Sequence, residues 1–99
     1  MSADLNRMQI VFTAEDMRRI SLIEDGFKVD LHGKNRWEAK AFIRNIINLV
    51  NHPFTLDVIH GYNRGIVLKN MISSEEINSR IVSRHVSEYN MGETYLTVA

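Results

Sequence analysis

Several features are scarce in these 99 residues, and each shortage excludes a class of protein. Cysteine is absent, which excludes a disulfide framework and thiolate chemistry and fits a reducing compartment. Lysine plus arginine equals aspartate plus glutamate at 12 each, so no strong overall positive field points to nucleic acid. No apolar run approaches the ~20 residues of a membrane-spanning helix, and the N-terminus lacks a secretory-signal pattern. We therefore expect a cytoplasmic protein without membrane contact.

The length and composition predict a single globular domain. A chain of this size buries roughly two thirds of its unfolded surface, which is enough for one core. Residues 1–26 are acidic on balance, and the remainder carries a small positive excess. We interpret residues 1–26 as an N-terminal extension, a strand plus a helix packed on the core, and residues 27–99 as the main domain.

Two segments share one pattern, a strand that ends in His-Gly. Residues 27–33 read FKVDLHG and residues 54–61 read FTLDVIHG. In both, apolar residues alternate with polar ones, which is typical of strands with one buried face. A long amphipathic segment separates them, and two strands joined by a helical crossover lie parallel. We therefore expect His32 and His60 to meet at one edge of the sheet, where open α/β sheets bind their ligands.

The other elements follow from local signals. Residues 8–12 have strand composition, and the helix predicted after them has Thr13 as its N-cap and Gly26 as its stop. Asn35 with Glu38 resembles a capping box at the start of a helix that reaches about residue 50. We expect a short helix after Gly65, and strands 81–86 and 94–98 on either side of a turn at 90–92. These elements predict an α/β fold, in detail an α+β two-layer sandwich. Its mixed sheet has four to five strands, with helices mainly on one face.

Three segments resemble the Smr (small MutS-related) domain family. Residues 29–33, VDLHG, resemble its L-D-L-H-G motif; residues 60–65, HGYNRG, its H-G-x-G-x-G motif; and residues 90–96, NMGETYL, its closing hairpin. The resemblance implies a sandwich similar to the C-terminal domain of a translation initiation factor. It also implies nucleic-acid binding, with endonuclease or nicking activity on RNA or DNA in several members. Asn63 stands where the middle glycine is expected.

Asp30, His32 and His60 are the candidate catalytic residues. Phosphodiester cleavage needs a base, an acid and charge stabilisation. Histidine, with an ordinary pKa near ~6.5, performs either proton transfer at neutral pH. Asp30 lies two positions before His32, where its carboxylate can orient an imidazole or hold a divalent metal ion. That ion is the one candidate cofactor.

The candidate phosphate-binding residues lie beside the two histidines. They are Gly33, Lys34, Gly61, Tyr62, Asn63, Arg64 and Gly65. Backbone N–H groups and a helix N-terminus at loop 61–65 attract phosphate without base preference. Arg64 adds charge-assisted hydrogen bonds, and Tyr62 can stack on an unpaired base. Asparagine tolerates the left-handed backbone better than most residues, although its side chain can crowd a phosphate.

Each candidate also has a structural interpretation. A histidine before glycine can simply end a strand and bond a neighbouring carbonyl, and the loop glycines can serve only the turn. Tyr62 can pack, Arg64 can be solvated, and Asp57 is either an ordinary polar residue of the open sheet face or part of the site.

Three functions remain open from the sequence. The first is a nuclease of the Smr type. The second is a non-catalytic module that binds nucleic acid or the ribosome, which Asn63 and the zero net charge favour. The third is a protein-interaction or oligomerisation module, which the polar open face of the sheet disfavours. We accordingly expect a monomer or a weak dimer.

Overall fold

The computed structural model describes residues 2–61 and 66–99 and contains a five-stranded mixed sheet. Its elements, in chain order, are α1 (Ser2–Val11), α2 (Ala14–Arg18), β1 (Ile20–Ile23), β2 (Gly26–Asp30), α3 (Arg36–Leu49), β3 (Phe54–Ile59), α4 (Ile66–Ser74), β4 (Ile81–Val86) and β5 (Glu93–Val98). The strand order across the sheet is β1-β2-β3-β5-β4.

The central pair of the sheet, β2 and β3, is parallel, and the neighbouring pairs are antiparallel. The crossover through α3 therefore brings the ends of β2 and β3 to the same side of the sheet. The start of β5 lies there too, because Glu93 pairs with Ile59. We call this side the His-Gly edge; it comprises residues 30–34, 59–61 and 87–93. The predicted parallel pair is confirmed.

One face of the sheet carries the core. The buried apolar strand residues Phe27, Val29, Leu56 and Val58 share this face with the buried sides of α3 and α4. The helix α3 begins as predicted, since Asn35 accepts a hydrogen bond from the Glu38 N–H and the Glu38 carboxylate accepts one from the Asn35 N–H. The predicted α/β class with a mixed sheet of four to five strands is confirmed, and the sheet has five. The likeness to an initiation-factor domain stays a prediction.

The predicted strand at 8–12 is wrong, because the helix α1 spans Ser2 to Val11. Met8 is fully buried whereas Ile10 is 85% exposed, which is the burial of a helix with one inward side. A polar anchor fixes this helix, since the buried carboxylate of Asp4 pairs with Arg7 and with His52. The β-forming composition of the segment is overridden by this packing.

The predicted helix from Thr13 to Gly26 is also wrong beyond its start. Thr13 is the N-cap, as predicted, but α2 ends at Arg18. The next residues form β1, which pairs with β2 and buries Ile20 opposite Val29. Gly26 is the first residue of β2 and not a helix stop. Residues 1–26 therefore contain two helices and a strand where a strand plus a helix was predicted.

The helices of this fold are short. The longest, α3, has 14 residues, whereas a membrane span needs ~20. Within the described ranges 2–61 and 66–99, no helix is both long and apolar enough to cross a bilayer.

Candidate functional site

The turn that follows β2 presents His32 at the His-Gly edge. Asp30 Oδ1 accepts a hydrogen bond from the His32 N–H at 2.8 Å, and Lys34 N–H donates to the Leu31 carbonyl at 3.0 Å. Gly33 has a φ of 84°, a left-handed conformation that favours glycine. Asp30 and His32 are both exposed. The turn therefore holds its backbone in place while leaving the imidazole in contact with solvent.

Arg19, the C-cap residue of α2, braces this turn, and sequence reasoning missed it. One guanidinium nitrogen of Arg19 donates to the Asp30 carbonyl at 3.1 Å and to the His32 carbonyl at 2.6 Å. Another donates to Glu15 at 3.1 Å. A charged donor on two carbonyls fixes the path of the chain through Asp30 and His32. No local pattern indicates this contact, because residues 20–23 resemble a helix.

Lys34 is occupied by a partner within the chain. Its ammonium lies 2.9 Å from Asp16 Oδ1 and 4.8 Å from the centre of the Phe42 ring. The Lys34 side chain is 14% exposed and lines a shallow pocket of about 350 Å³ that also includes Thr13 and Glu38. Lys34 must leave Asp16 to reach a phosphate, so its predicted binding role stays a prediction.

His60 lies in a different environment from His32. Its side chain is 2% exposed. Nδ1 donates to the Gly61 carbonyl at 2.9 Å, because a carbonyl can only accept, and Nε2 accepts from the Thr94 hydroxyl at 2.9 Å. Burial lowers the pKa of His60, which the hydrogen bond to Gly61 only partly offsets. The neutral imidazole therefore links the end of β3 to the start of β5 by a hydrogen bond.

The start of the second His-Gly loop is docked on the β4–β5 turn. The N–H groups of His60 and Gly61 both donate to the Gly92 carbonyl, at 2.9 and 3.1 Å. Gly61 has a φ of 85°. A Cβ on Gly92 would lie 3.1 Å from the Gly61 carbonyl carbon, so this close approach of the two backbones requires glycine at residue 92.

The topology brings both His-Gly motifs to one edge, as predicted, but their imidazoles are unlike. His32 is exposed, whereas the recorded hydrogen bonds of the buried His60 go to Gly61 and Thr94. The catalytic roles of Asp30, His32 and His60 stay predictions, as do the phosphate-binding roles of Gly33 and Gly61. The predicted binding residues Tyr62, Asn63, Arg64 and Gly65 lie outside the described residues.

A metal site is not apparent in the described part of the chain. Among residues 2–61 and 66–99, no group of three or more histidine, aspartate or glutamate side chains is arranged to hold a metal ion. Asp30 already accepts the His32 N–H. The divalent ion stays a prediction.

A second polar cluster lies on the open face of the sheet, next to the His-Gly edge. Asp57 and Glu93 are 5% and 8% exposed, and the Lys28 ammonium lies 3.9 Å from the first carboxylate and 3.8 Å from the second. The Tyr95 hydroxyl donates to Glu93 at 2.9 Å. Asp57 Oδ1 is buried and has no hydrogen-bond partner among the described residues. Strand alternation placed Asp57 on this face, but Glu93 was missed.

The pKa of Asp57 is raised to about 6. The largest cause is burial, which penalises the charged carboxylate; the neighbouring Glu93 adds to the rise by accepting a hydrogen bond from the neutral form and repelling the charged one. Lys28 opposes the rise. One proton shared between Asp57 and Glu93 would supply the donor that the buried oxygen lacks.

Replacing Asp57 by asparagine is expected to stabilise the protein at neutral pH. Because the folded state favours the protonated carboxyl of Asp57, the stabilisation from this group is fully present below the unfolded pKa of 3.8. It is lost as pH rises through the folded pKa of about 6. Wild type and Asp57→Asn should therefore match near pH 4, and the variant should melt higher at pH 7. With solvent screening considered, we expect a Tm difference on the order of 4 °C.

Glu75→Gln is the matched control for this pH series. Arg36 and Lys40 donate hydrogen bonds to Glu75 and lower its pKa, so the ionised carboxylate is the stabilising form. That stabilisation is present above the unfolded pKa and lost as pH falls, so this variant should lose stability at pH 7 relative to pH 4. Parallel thermal melts by circular dichroism measure both, and an Asp57→Asn difference independent of pH would contradict a raised pKa.

No protein-family model, curated protein or solved structure matches this chain significantly. The residues of the His-Gly edge and the motifs they form are therefore the basis for assigning a function.

Proposed function

We propose that this chain is a nucleic-acid-binding domain of the Smr type, which binds RNA or DNA at the His-Gly edge and cleaves a phosphodiester bond there. The observation that carries the proposal is the exposed imidazole of His32 on a turn braced by Asp30 and Arg19. An active-site histidine must reach solvent and substrate while its backbone is held in position.

In this proposal His32 performs the proton transfer. An imidazole serves as base for the attacking hydroxyl or water, or as acid for the leaving oxygen, near neutral pH. Asp30 positions His32 by accepting a hydrogen bond from its backbone N–H. We assign His60 a positioning role, because a buried ring with both nitrogens bonded holds Gly61 against the β4–β5 turn and meets no substrate.

Backbone groups contribute the first part of the phosphate site. Gly33 and Gly61 both have positive φ and both follow strands that end at this edge. Such conformations let a ligand approach the main chain closely, although the Gly61 N–H itself donates to the Gly92 carbonyl. Within the proposal, Arg64 and Lys34 supply positive charge, with Lys34 exchanging Asp16 for a phosphate, and Tyr62 supports an unpaired base.

The proposal includes partners and location. The substrate class is RNA or DNA, the ribosome is a proposed docking partner, and the protein works in the cytoplasm as a monomer or weak dimer. The absence of cysteine is compatible with that compartment.

A cleavage assay tests the proposed activity. We expect purified protein to cut labelled single-stranded RNA or to nick supercoiled plasmid. Each substrate is incubated with Mg²⁺ and, in parallel, with a chelator. Cleavage that persists with chelator assigns the chemistry to His32, whereas cleavage that requires Mg²⁺ assigns part of it to a metal. No cleavage of either substrate under both conditions would overturn the proposed activity.

A non-catalytic binding module is the second candidate. Two observations favour it. His60 is buried, so His32 is the one exposed histidine of the two motifs, and Lys34 is paired with Asp16. Its signature is binding that weakens with salt, with no cleavage in either arm of the assay above.

A further inference from the structure

The turn between β4 and β5 has a fixed shape. The N–H groups of Tyr89 and Asn90 both donate to the Ser87 hydroxyl at 3.2 Å. The Gly92 N–H donates to the Asn90 side chain at 2.9 Å, and the Glu93 N–H to the Asn90 carbonyl at 3.1 Å. Polar side chains thus bond the backbone of the turn internally, so residues displayed on it have a defined position.

This turn displays two apolar side chains to solvent. Tyr89 is 97% exposed and Met91 is 51% exposed. A tyrosine ring provides a large, rigid contact surface at a low entropic cost. The turn also borders the second His-Gly motif, since the Gly92 carbonyl accepts the N–H groups of His60 and Gly61. The turn that carries the exposed ring therefore borders the edge with the proposed phosphate site.

We infer that Tyr89, with Met91 beside it, is a stacking platform for an unpaired nucleobase, and that the substrate of this edge is single-stranded. This inference rests on the proposed function and names its substrate class. A base in a duplex is already stacked on its neighbours, whereas an unpaired base offers its face to an aromatic ring.

The charges of the turn favour a base over a phosphate as the partner of Tyr89. Residues 87–93 contain Glu88 and Glu93 and neither lysine nor arginine. Glu88 is exposed, so this surface repels the backbone of a nucleic acid. The His-Gly turns at Gly33 and Gly61 hold the phosphate in the proposed function, and the β4–β5 turn supplies the contact to the base.

Fluorescence anisotropy tests this inference with a labelled single-stranded RNA and a duplex of the same sequence. We expect wild type to prefer the single strand, and Tyr89→Ala to weaken that binding about tenfold. Tyr89→Trp keeps an aromatic face and should retain the affinity. Val82→Ala, at a 63% exposed residue near the start of β4, is the matched control and should not change it. The salt dependence should stay the same in Tyr89→Ala, because no phosphate contact is lost.

The outcomes separate the inference from its premise. Equal single-strand affinity of wild type and Tyr89→Ala overturns the stacking role and leaves the proposed function standing. A preference for the duplex, or an equal loss on both RNAs, also overturns it. Wild type that binds neither these RNAs nor the single-stranded and duplex DNA of the same sequence overturns the proposed function and the inference together. Melting curves for each variant exclude unfolding as the cause of a loss.

Discussion

Gly26→Ala is expected to destabilise this fold severely. A Cβ at residue 26 would lie 1.9 Å from the Thr55 carbonyl oxygen, 2.8 Å from its carbon and 2.9 Å from its nitrogen. All three are backbone atoms of β3, so no side chain can move aside. The two parallel strands would have to separate where Gly26 pairs with Thr55. Overpacking usually costs about 1–3 kcal/mol; against rigid backbone we expect at least ~3 kcal/mol, a large part of the ~5–15 kcal/mol of a typical domain.

Gly61→Ala is the matched control for this substitution. Residue 61 has no atom within 4 Å of a built Cβ, but its φ is 85°. An alanine there meets only the left-handed backbone penalty, roughly 1–2 kcal/mol, and should still fold. Urea denaturation followed by circular dichroism compares the two variants. A Gly26→Ala protein as stable as Gly61→Ala would show that the strands separate at little cost.

The part of the fold that local patterns determine was predictable. Alternation identified β2 and β3, Asn35 and Glu38 marked the start of α3, and the turn at 90–92 marked the final hairpin. Each signal lies within a few residues of the element that it specifies, so one sequence is enough to find it.

The N-terminal region was not predictable in this way, because distant partners decide it. The spacing of Met17, Ile20 and Ile23 fits a helix. Residues 20–23 instead pair with the edge of β2, and Ile20 is buried as a strand residue opposite Val29. Gly26 resembles a helix stop in sequence. Glycine is needed there because the backbone of Thr55, 29 positions later, lies directly across the parallel pair.

The meeting of the two His-Gly motifs at one edge followed from topology, but the burial of His60 did not. Counting along the second strand from Phe54 puts residue 60 on the same side as Leu56 and Val58, which face the core. Counting along the first puts His32 on the side of the half-exposed Lys28. The signal for unlike histidines was therefore present in strand parity. Tyr89 gave no comparable signal, because exposure on a turn depends on the closing hydrogen bonds.

His32→Ala is expected to reduce cleavage by about 10²–10⁴-fold, the usual contribution of a general acid or base. Because His32 is exposed, its removal leaves no buried group unpaired, so Tm and nucleic-acid affinity should stay near those of wild type. His60→Ala should behave in the opposite way. It leaves a cavity and removes the partners of the Gly61 carbonyl and the Thr94 hydroxyl, which should cost roughly 2–4 kcal/mol of stability.

His85→Ala is the matched control, since His85 is an exposed histidine of β4 outside the proposed site and should change neither quantity. Single-turnover cleavage, binding and thermal melts are measured on all three variants. Full activity in His32→Ala would remove the proposed chemistry from this edge. A His60→Ala protein that keeps its stability yet loses cleavage would instead make His60 catalytic, as the sequence alone predicted. Its buried ring would then have to release Gly61 and Thr94 before each turnover, and the His-Gly loop would have to open to admit substrate.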